Sequence, residues 1–220
     1  MRINKFVALA SGLSRRWADA AITKGRVLVN GQPPQPGQNV TDTDTVTLDG
    51  KLLAAPAQLR TVIFNKPAGF VVSRDGQGSQ TIYDLLPPDM HSLKPVGRLD
   101  KDSSGLLLLT NDGQLAQELT HPSHRKQKIY EVTLSQPLQP LHRQMISDHG
   151  LQLTDGLSKL ELERLQDGND KAWRVQMHEG RNRQIRRTFA SLGYNITKLH
   201  RTHFGNYTLG TLRSGTYQEV

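Results

Sequence analysis

The chain predicts an α+β protein in which a mixed, largely antiparallel sheet domain is preceded by a small α/β module. Three observations predict it. Strand-like runs outnumber helical ones. The two kinds do not alternate one for one, as they would in a doubly wound sheet. A self-contained pattern of two helices and short strands also fills the first 50 residues, ahead of a proline-containing stretch with no periodicity. The expected division is 1–50, a linker at 51–60, and a main domain at 61–220.

In the first module, Ile3, Phe6, Val7 and Ala10 fall at the spacing of one helix face, and Gly12 stops the turn. Ser14 is placed to cap a second helix whose apolar stripe is Trp17, Ala18, Ala21 and Ile22, with Gly25 as its breaker. Arg26 to Val29 then runs into Asn30-Gly31, and Thr45 to Leu48 into Asp49-Gly50, both two-residue hairpin signals. Lys51 to Arg60, with Ala54-Ala55-Pro56-Ala57, reads as linker.

Beyond it, strands are expected at Val62–Phe64, Leu106–Leu109, Ile129–Leu134, Lys159–Leu165 and Trp173–Met177. Helices are expected at Gln114–Leu119, at Leu141–His149, and from Asn182 to Leu192, ending at Gly193.

Lys and Arg number 28 against 20 for Asp and Glu, a net charge of +8 with a pI near 9.9, which favours a polyanionic partner. The chain has no cysteine, so disulfides and thiolate metal sites are excluded and a reducing compartment is expected. Phe6 to Ala10 is too short an apolar run for a signal peptide, and no run approaches a membrane span, so a cytoplasmic monomer is expected. His200-x-x-His203 lacks the partners of a zinc site, and Gly76-Gln77-Gly78 lacks a nucleotide-binding fingerprint. No metal and no cofactor are expected.

Chemistry concentrates in Val96 to Gly105. Arg98, Asp100, Lys101 and Asp102 load a polar loop directly ahead of four leucines, where a rigid strand can hold a reactive group against the core. Spacing alone leaves a turn-forming or ion-paired aspartate as the commoner explanation of such a residue.

Motifs decide further. Gly97-Arg98-Leu99-Asp100, followed by Ser104-Gly105-Leu106-Leu107-Leu108-Leu109-Thr110-Asn111-Asp112-Gly113, resembles the active-site motif of pseudouridine synthases. Asn65-Lys66-Pro67-Ala68-Gly69, Lys128-Ile129-Tyr130-Glu131-Val132 and Glu179-Gly180-Arg181-Asn182-Arg183-Gln184-Ile185-Arg186-Arg187 match that family in order. The first module, from Ser14 to Gly31, resembles the S4-like RNA-binding domain that precedes the catalytic domain in the branch acting on bacterial ribosomal RNA.

The resemblance implies roles by position. Asp100 would be the catalytic carboxylate, Tyr130 the ring that stacks on the target base, and Arg186 the basic residue that pairs with the aspartate, with Ile185 beneath the uracil. RNA would be met by Arg15, Arg16, Lys24 and Arg26 in the first module, and by Arg98, Lys101, Arg181, Arg183 and Arg187 in the second. The implied partner is ribosomal RNA; a ribosome assembly factor that binds RNA without catalysis is the alternative.

The chemistry fits. Moving uracil from nitrogen to carbon attachment is a redox-neutral isomerisation, and the charge it develops suits an anionic carboxylate. The base must first leave its stack, which calls for an aromatic replacement. The residues leave open whether Asp100 attacks the sugar, adds to the base or takes a sugar proton. They also leave open which uridine is the target.

Overall fold

A computed structural model of the chain describes residues 1–41, 43–54 and 58–220. Ala55 to Ala57, the centre of the expected linker, lie outside the described residues. The chain divides into one unit over Met1–Leu59 and another over Arg60–Val220.

In the first unit, α1 (Ile3–Ser11) buries Ile3, Phe6 and Val7 and ends at Gly12, whose φ of 72° is the left-handed conformation that glycine adopts without strain. α2 (Arg15–Thr23) is capped by Ser14, whose hydroxyl accepts from Trp17 N at 3.2 Å. β1 (Val27–Val29) pairs antiparallel with β2 (Val46–Leu48), which returns as β3 (Lys51–Leu52).

Two sequence expectations change here. Asn30 and Gly31 do form a tight turn, with Val29 and Gln32 exchanging hydrogen bonds, but the partner of β1 arrives 15 residues later, as β2. Lys51 and Leu52, assigned to the linker, form β3, because Asp49-Gly50 makes the reversing turn with φ of 51° and 76°.

The second unit begins with β4 (Thr61–Lys66), followed after two 3-10 turns by β5 (Lys94–Val96) and β6 (Ser104–Thr110). α3 (Gly113–Thr120) follows directly, its first turn capped by Asp112. Next come β7 (Lys128–Leu134) and α4 (Pro140–Gln144). Met145 to His149 then continue as a π turn, so the helix expected over Leu141–His149 is one α-turn shorter and wider at its end.

The hairpin β8 (Leu151–Leu153) and β9 (Gly156–Ser158) precedes β10 (Glu161–Arg164) and β11 (Ala172–Met177). α5 (Gln184–Ala190), β12 (Ile196–Phe204), β13 (Tyr207–Thr208) and β14 (Tyr217–Glu219) complete the unit.

One sheet runs in the order β10-β11-β7-β12-β6-β4-β14, with β13 on β12 and β5 on β6. Among the described strands of this sheet only β12 and β6 pair parallel, so the sheet is mixed and largely antiparallel. Leu106 to Leu109 are wholly buried because β6 is covered on both faces: Leu107 and Leu109 join the main core with Phe64 and Val132, while Leu106 and Leu108 pack with Ile63, Val96 and Leu119.

The seam between β6 and β12 depends on Gly105. Its φ is 105°, and a Cβ there would sit 2.3 Å from Arg201 O, so no other residue lets the two backbones approach this closely.

β12 is the central element that the sequence expectation lacks. Thr197, Lys198, His200, Arg201, Thr202 and His203 give it no apolar alternation, yet it lies between β7 and β6. Its polar residues are met inside the fold, as where His200 Nδ1 lies 2.9 Å from Ser104 Oγ.

Candidate active site

Gly97 to Ser103 connect β5 to β6 and form one wall of a cleft of about 380 Å3. Tyr130 and Lys128 on β7, Met177 at the end of β11, Gln184 and Ile185 at the start of α5, and Arg201 on β12 are among the residues that line the rest of it, as are Arg181 and Arg186. Tyr130 is 8% exposed and stands in register between Val175 of β11 and Arg201 of β12.

The Asp100 loop is held from below. Lys66, at the end of β4, is wholly buried and its ammonium donates to Pro67 O at 3.0 Å, Asp100 O at 3.1 Å and Ser103 O at 2.7 Å. Gly69 N adds a bond to Lys101 O at 2.7 Å. Burial pushes the Lys66 pKa down to about 8, against the opposing pull of Asp100 and Asp102. The lysine therefore fixes three points of backbone around the Asp100 carboxylate rather than facing the cleft.

Two arginines of the α5 segment meet this loop. Arg183, held at a left-handed φ of 46°, places Nη1 3.4 Å from an Asp100 oxygen and 3.1 Å from Asp102. Arg186 lies 3.3 Å from Asp102 and donates to Asp102 O, Ser103 Oγ and Ile196 O. The ion pair expected between Arg186 and Asp100 is thus made by Arg183, while Arg186 is anchored to Asp102 and to backbone on two elements. Burial works to raise the Asp102 pKa, but the hydrogen bond from Arg183 and the charges of Arg186 and Arg183 outweigh it and hold it low.

The other expected residues separate into two groups. Arg98 is exposed and lines the cleft, as does Arg183. Lys101 turns away and donates to Ser79 Oγ at 3.1 Å. Arg181 and Arg187 both pair with Asp155 at the turn of the β8–β9 hairpin, at 2.9 Å and 2.6 Å, and so fasten that hairpin to α5. In the first unit, Arg15, Arg16 and Lys24 are exposed, whereas Arg26 is held in a two-pronged bond to Asp49 and lies over the Trp17 ring.

Lys66, Lys128, Arg201 and Phe204 are among the residues at the site to which sequence reasoning gave no role. A signal existed for Lys66, since the apolar run Val62-Ile63-Phe64 carries it straight into Pro67 and the core. Arg201 and Phe204 lie in β12, which carries no strand signal.

Comparison with known proteins gives consistent findings. Residues 60–191 match the RNA pseudouridylate synthase family, and residues 1–46 match the S4 domain. The chain is 34% identical to an uncharacterized RNA pseudouridine synthase of Aquifex aeolicus, over all of this chain and 90% of that protein. It is 37% identical to the ribosomal large subunit pseudouridine synthase B of Xylella fastidiosa, over 94% of this chain but 46% of that protein. It is 34% identical to the ribosomal small subunit pseudouridine synthase A of Pasteurella multocida, over all of this chain and 96% of that protein. Among solved structures, a pseudouridylate synthase crystal structure superposes with a TM-score of 0.70 at 32% identity, covering all of this chain and 96% of that one.

Proposed function

We propose that this chain, which belongs to the RNA pseudouridylate synthase family and carries an S4 domain, converts one uridine of ribosomal RNA to pseudouridine with Asp100 as its catalytic carboxylate. The observation that carries the assignment is the convergence on one cleft of an aspartate on a braced loop, a buried tyrosine ring and Ile185. A cleft of this size takes a single flipped base. Tyr130 replaces the stacking that the base loses, and Ile185, 4% exposed, packs beneath it.

Asp100 then acts on the nucleotide, at the sugar carbon, the base or a sugar proton. Arg183 meets one of its oxygens in a single 3.4 Å contact. Because Asp102 holds both Arg183 and Arg186, Asp100 is not locked in a two-pronged pair, and its oxygens stay available for reaction. Arg98 and Arg183 at the cleft, with Arg15, Arg16 and Lys24 of the S4 domain, meet the phosphates.

Making a carbon–carbon glycosidic bond expels the hydrogen on carbon 5 of uracil. Ribosomal RNA labelled there with tritium should therefore release about one tritium per target on incubation with the enzyme. A non-catalytic assembly factor releases none. Mapping pseudouridine with and without the gene then identifies the target by the missing position.

The S4 domain's task is to hold the substrate. A chain of residues 60–220 keeps the core of the second unit, so it should melt cooperatively while binding RNA at least tenfold more weakly, a loss of about 1.4 kcal/mol or more. Filter binding checks this, and equal affinity of the two forms would remove the positioning role.

A further inference from the structure

Arg201 is 2% exposed yet lines the cleft. Its Nε donates to Leu106 O at 2.8 Å and its guanidinium lies 5.0 Å from the centre of the Phe204 ring. Its Nη2 has no hydrogen-bond partner among the described residues. Lys128 approaches the same ring at 5.2 Å and is itself satisfied by backbone oxygens, including Glu179 O at 3.2 Å. Burial and the neighbouring Arg201 both lower the Lys128 pKa, against Glu179.

Two cations thus flank one aromatic ring, and among the described residues neither is hydrogen-bonded to a side-chain carboxylate. A buried guanidinium with an unmet N–H carries a free-energy cost that a ligand oxygen removes.

The position names that oxygen. Arg201 stands directly opposite Tyr130 on the neighbouring strand, and opposed residues share a sheet face. A base stacked on Tyr130 therefore has its edge beside Arg201. The arginines of the α5 segment differ, because Arg183 and Arg186 already face Asp100 and Asp102.

Resting on the function proposed above, we infer that Arg201 is a further catalytic residue, donating from Nη2 to a carbonyl oxygen of the target uracil and stabilising the negative charge that the base acquires. When the bond from the sugar carbon to N1 breaks, its electron pair stays on the base and spreads to O2 and O4. The electron-deficient sugar carbon is captured by the Asp100 carboxylate, or the adjacent carbon C2′ gives up a proton to that carboxylate and a C1′=C2′ double bond forms. C5 then bonds to C1′ as the Asp100 carboxylate leaves it, or as Asp100 returns the proton to C2′; C5 gives up its hydrogen as a proton, and N1 takes a proton. If Asp100 instead adds to the base at C6, the charge passes through C5 and C4 to O4; the N1–sugar bond is exchanged for a C5–sugar bond, N1 takes a proton, and the carboxylate leaves C6 as C5 loses its hydrogen as a proton. In each route a uracil oxygen becomes more negative than in the substrate, and a preplaced buried donor favours that state over the ground state.

The test compares wild type with Arg201→Met and Arg201→Lys in three measurements. Single-turnover rates on the tritiated RNA should fall roughly tenfold to a hundredfold for Arg201→Met, the range expected for one charged hydrogen bond, with Arg201→Lys between the two. RNA affinity should stay within about threefold, because the contact strengthens as the base becomes anionic. The wild type should also bind 5-nitrouracil, which is ionised at neutral pH, at least about tenfold more tightly than uracil, and Arg201→Met should lose that preference. An unchanged rate in Arg201→Met overturns the inference, as does a loss of RNA affinity with no loss of rate, which marks a phosphate contact. If thermal melting shows Arg201→Met unfolded, Arg201→Lys and the two bases decide. A wild type that prefers 5-nitrouracil but releases no tritium sinks the proposed function alone; one that releases tritium without that preference sinks only this inference.

Discussion

Asp100→Asn should fold, bind RNA with nearly the parental affinity, and isomerise uridine several orders of magnitude more slowly. Asparagine keeps the shape of the side chain and removes its charge. The loop should not move, because it is fixed by its backbone: Lys66 grips Asp100 O and Ser103 O, and Gly69 N grips Lys101 O. Arg183 retains Asp102 at 3.1 Å after the substitution, so its guanidinium keeps its place. What disappears is the anion required by each of the three routes.

The magnitude separates explanations. If Asp100 were only an ion-pair partner of Arg183, its neutralisation would cost about 0–1 kcal/mol and leave the rate within about tenfold of wild type. An essential carboxylate leaves only the rate that binding and orientation supply. Single-turnover tritium release with enzyme in excess isolates the chemical step, and a thermal melt confirms the fold. A folded Asp100→Asn enzyme within about tenfold of wild type would remove Asp100 from the mechanism.

Legibility in the sequence followed how local each signal was. The four leucines of β6, the Ser14 cap and the Gly12 stop are each decided within a few residues, and the structure forms them where their spacing places them. β12 was not legible because its stabilising partners are distant: Leu106 O, Ser104 and the glycine gap at 105 make room for a polar strand in the sheet centre.

The same distinction runs through the site. The Asp100 loop and Tyr130 carry compact motifs. Which arginine meets Asp100 depends on the left-handed turn at Arg183 and on anchors for Arg186 as far apart in sequence as Ser103 and Ile196, and no spacing rule contains that information. Likewise Arg181 and Arg187, legible as a basic run, were claimed by Asp155 of a hairpin that the strand signals did not reveal.

Lys66→Met tests the brace beneath the Asp100 loop. The variant removes a buried ammonium and its desolvation cost, but it leaves Pro67 O and Ser103 O without this donor, while Asp100 O keeps only its bond from Ser103 N at 3.1 Å. Each unmet buried carbonyl costs about 1–3 kcal/mol, a loss that loop movement towards solvent relieves. Such movement displaces Asp100, and misplacing a reacting group by about 1 Å costs on the order of a hundredfold. The expected rate is therefore a hundredfold to a thousandfold below wild type in a protein that still melts cooperatively.

The pH dependence supplies a second reading. With a folded-state pKa of about 8 against an ordinary 10.5, Lys66 is charged below about pH 8 and loses its proton as pH rises through that value. Between about 8 and 10.5 the unfolded chain binds more protons at this residue than the folded one, so its contribution to stability increases with pH. The loop responds oppositely, since a neutral amine has two N–H groups for three close carbonyls. In wild type the single-turnover rate should fall as pH rises through about 8 while this residue's share of folding stability grows, and in Lys66→Met that alkaline fall should be absent. A variant within tenfold of wild type at pH 7, or one that keeps the same alkaline fall, would show that the loop holds Asp100 without its lysine.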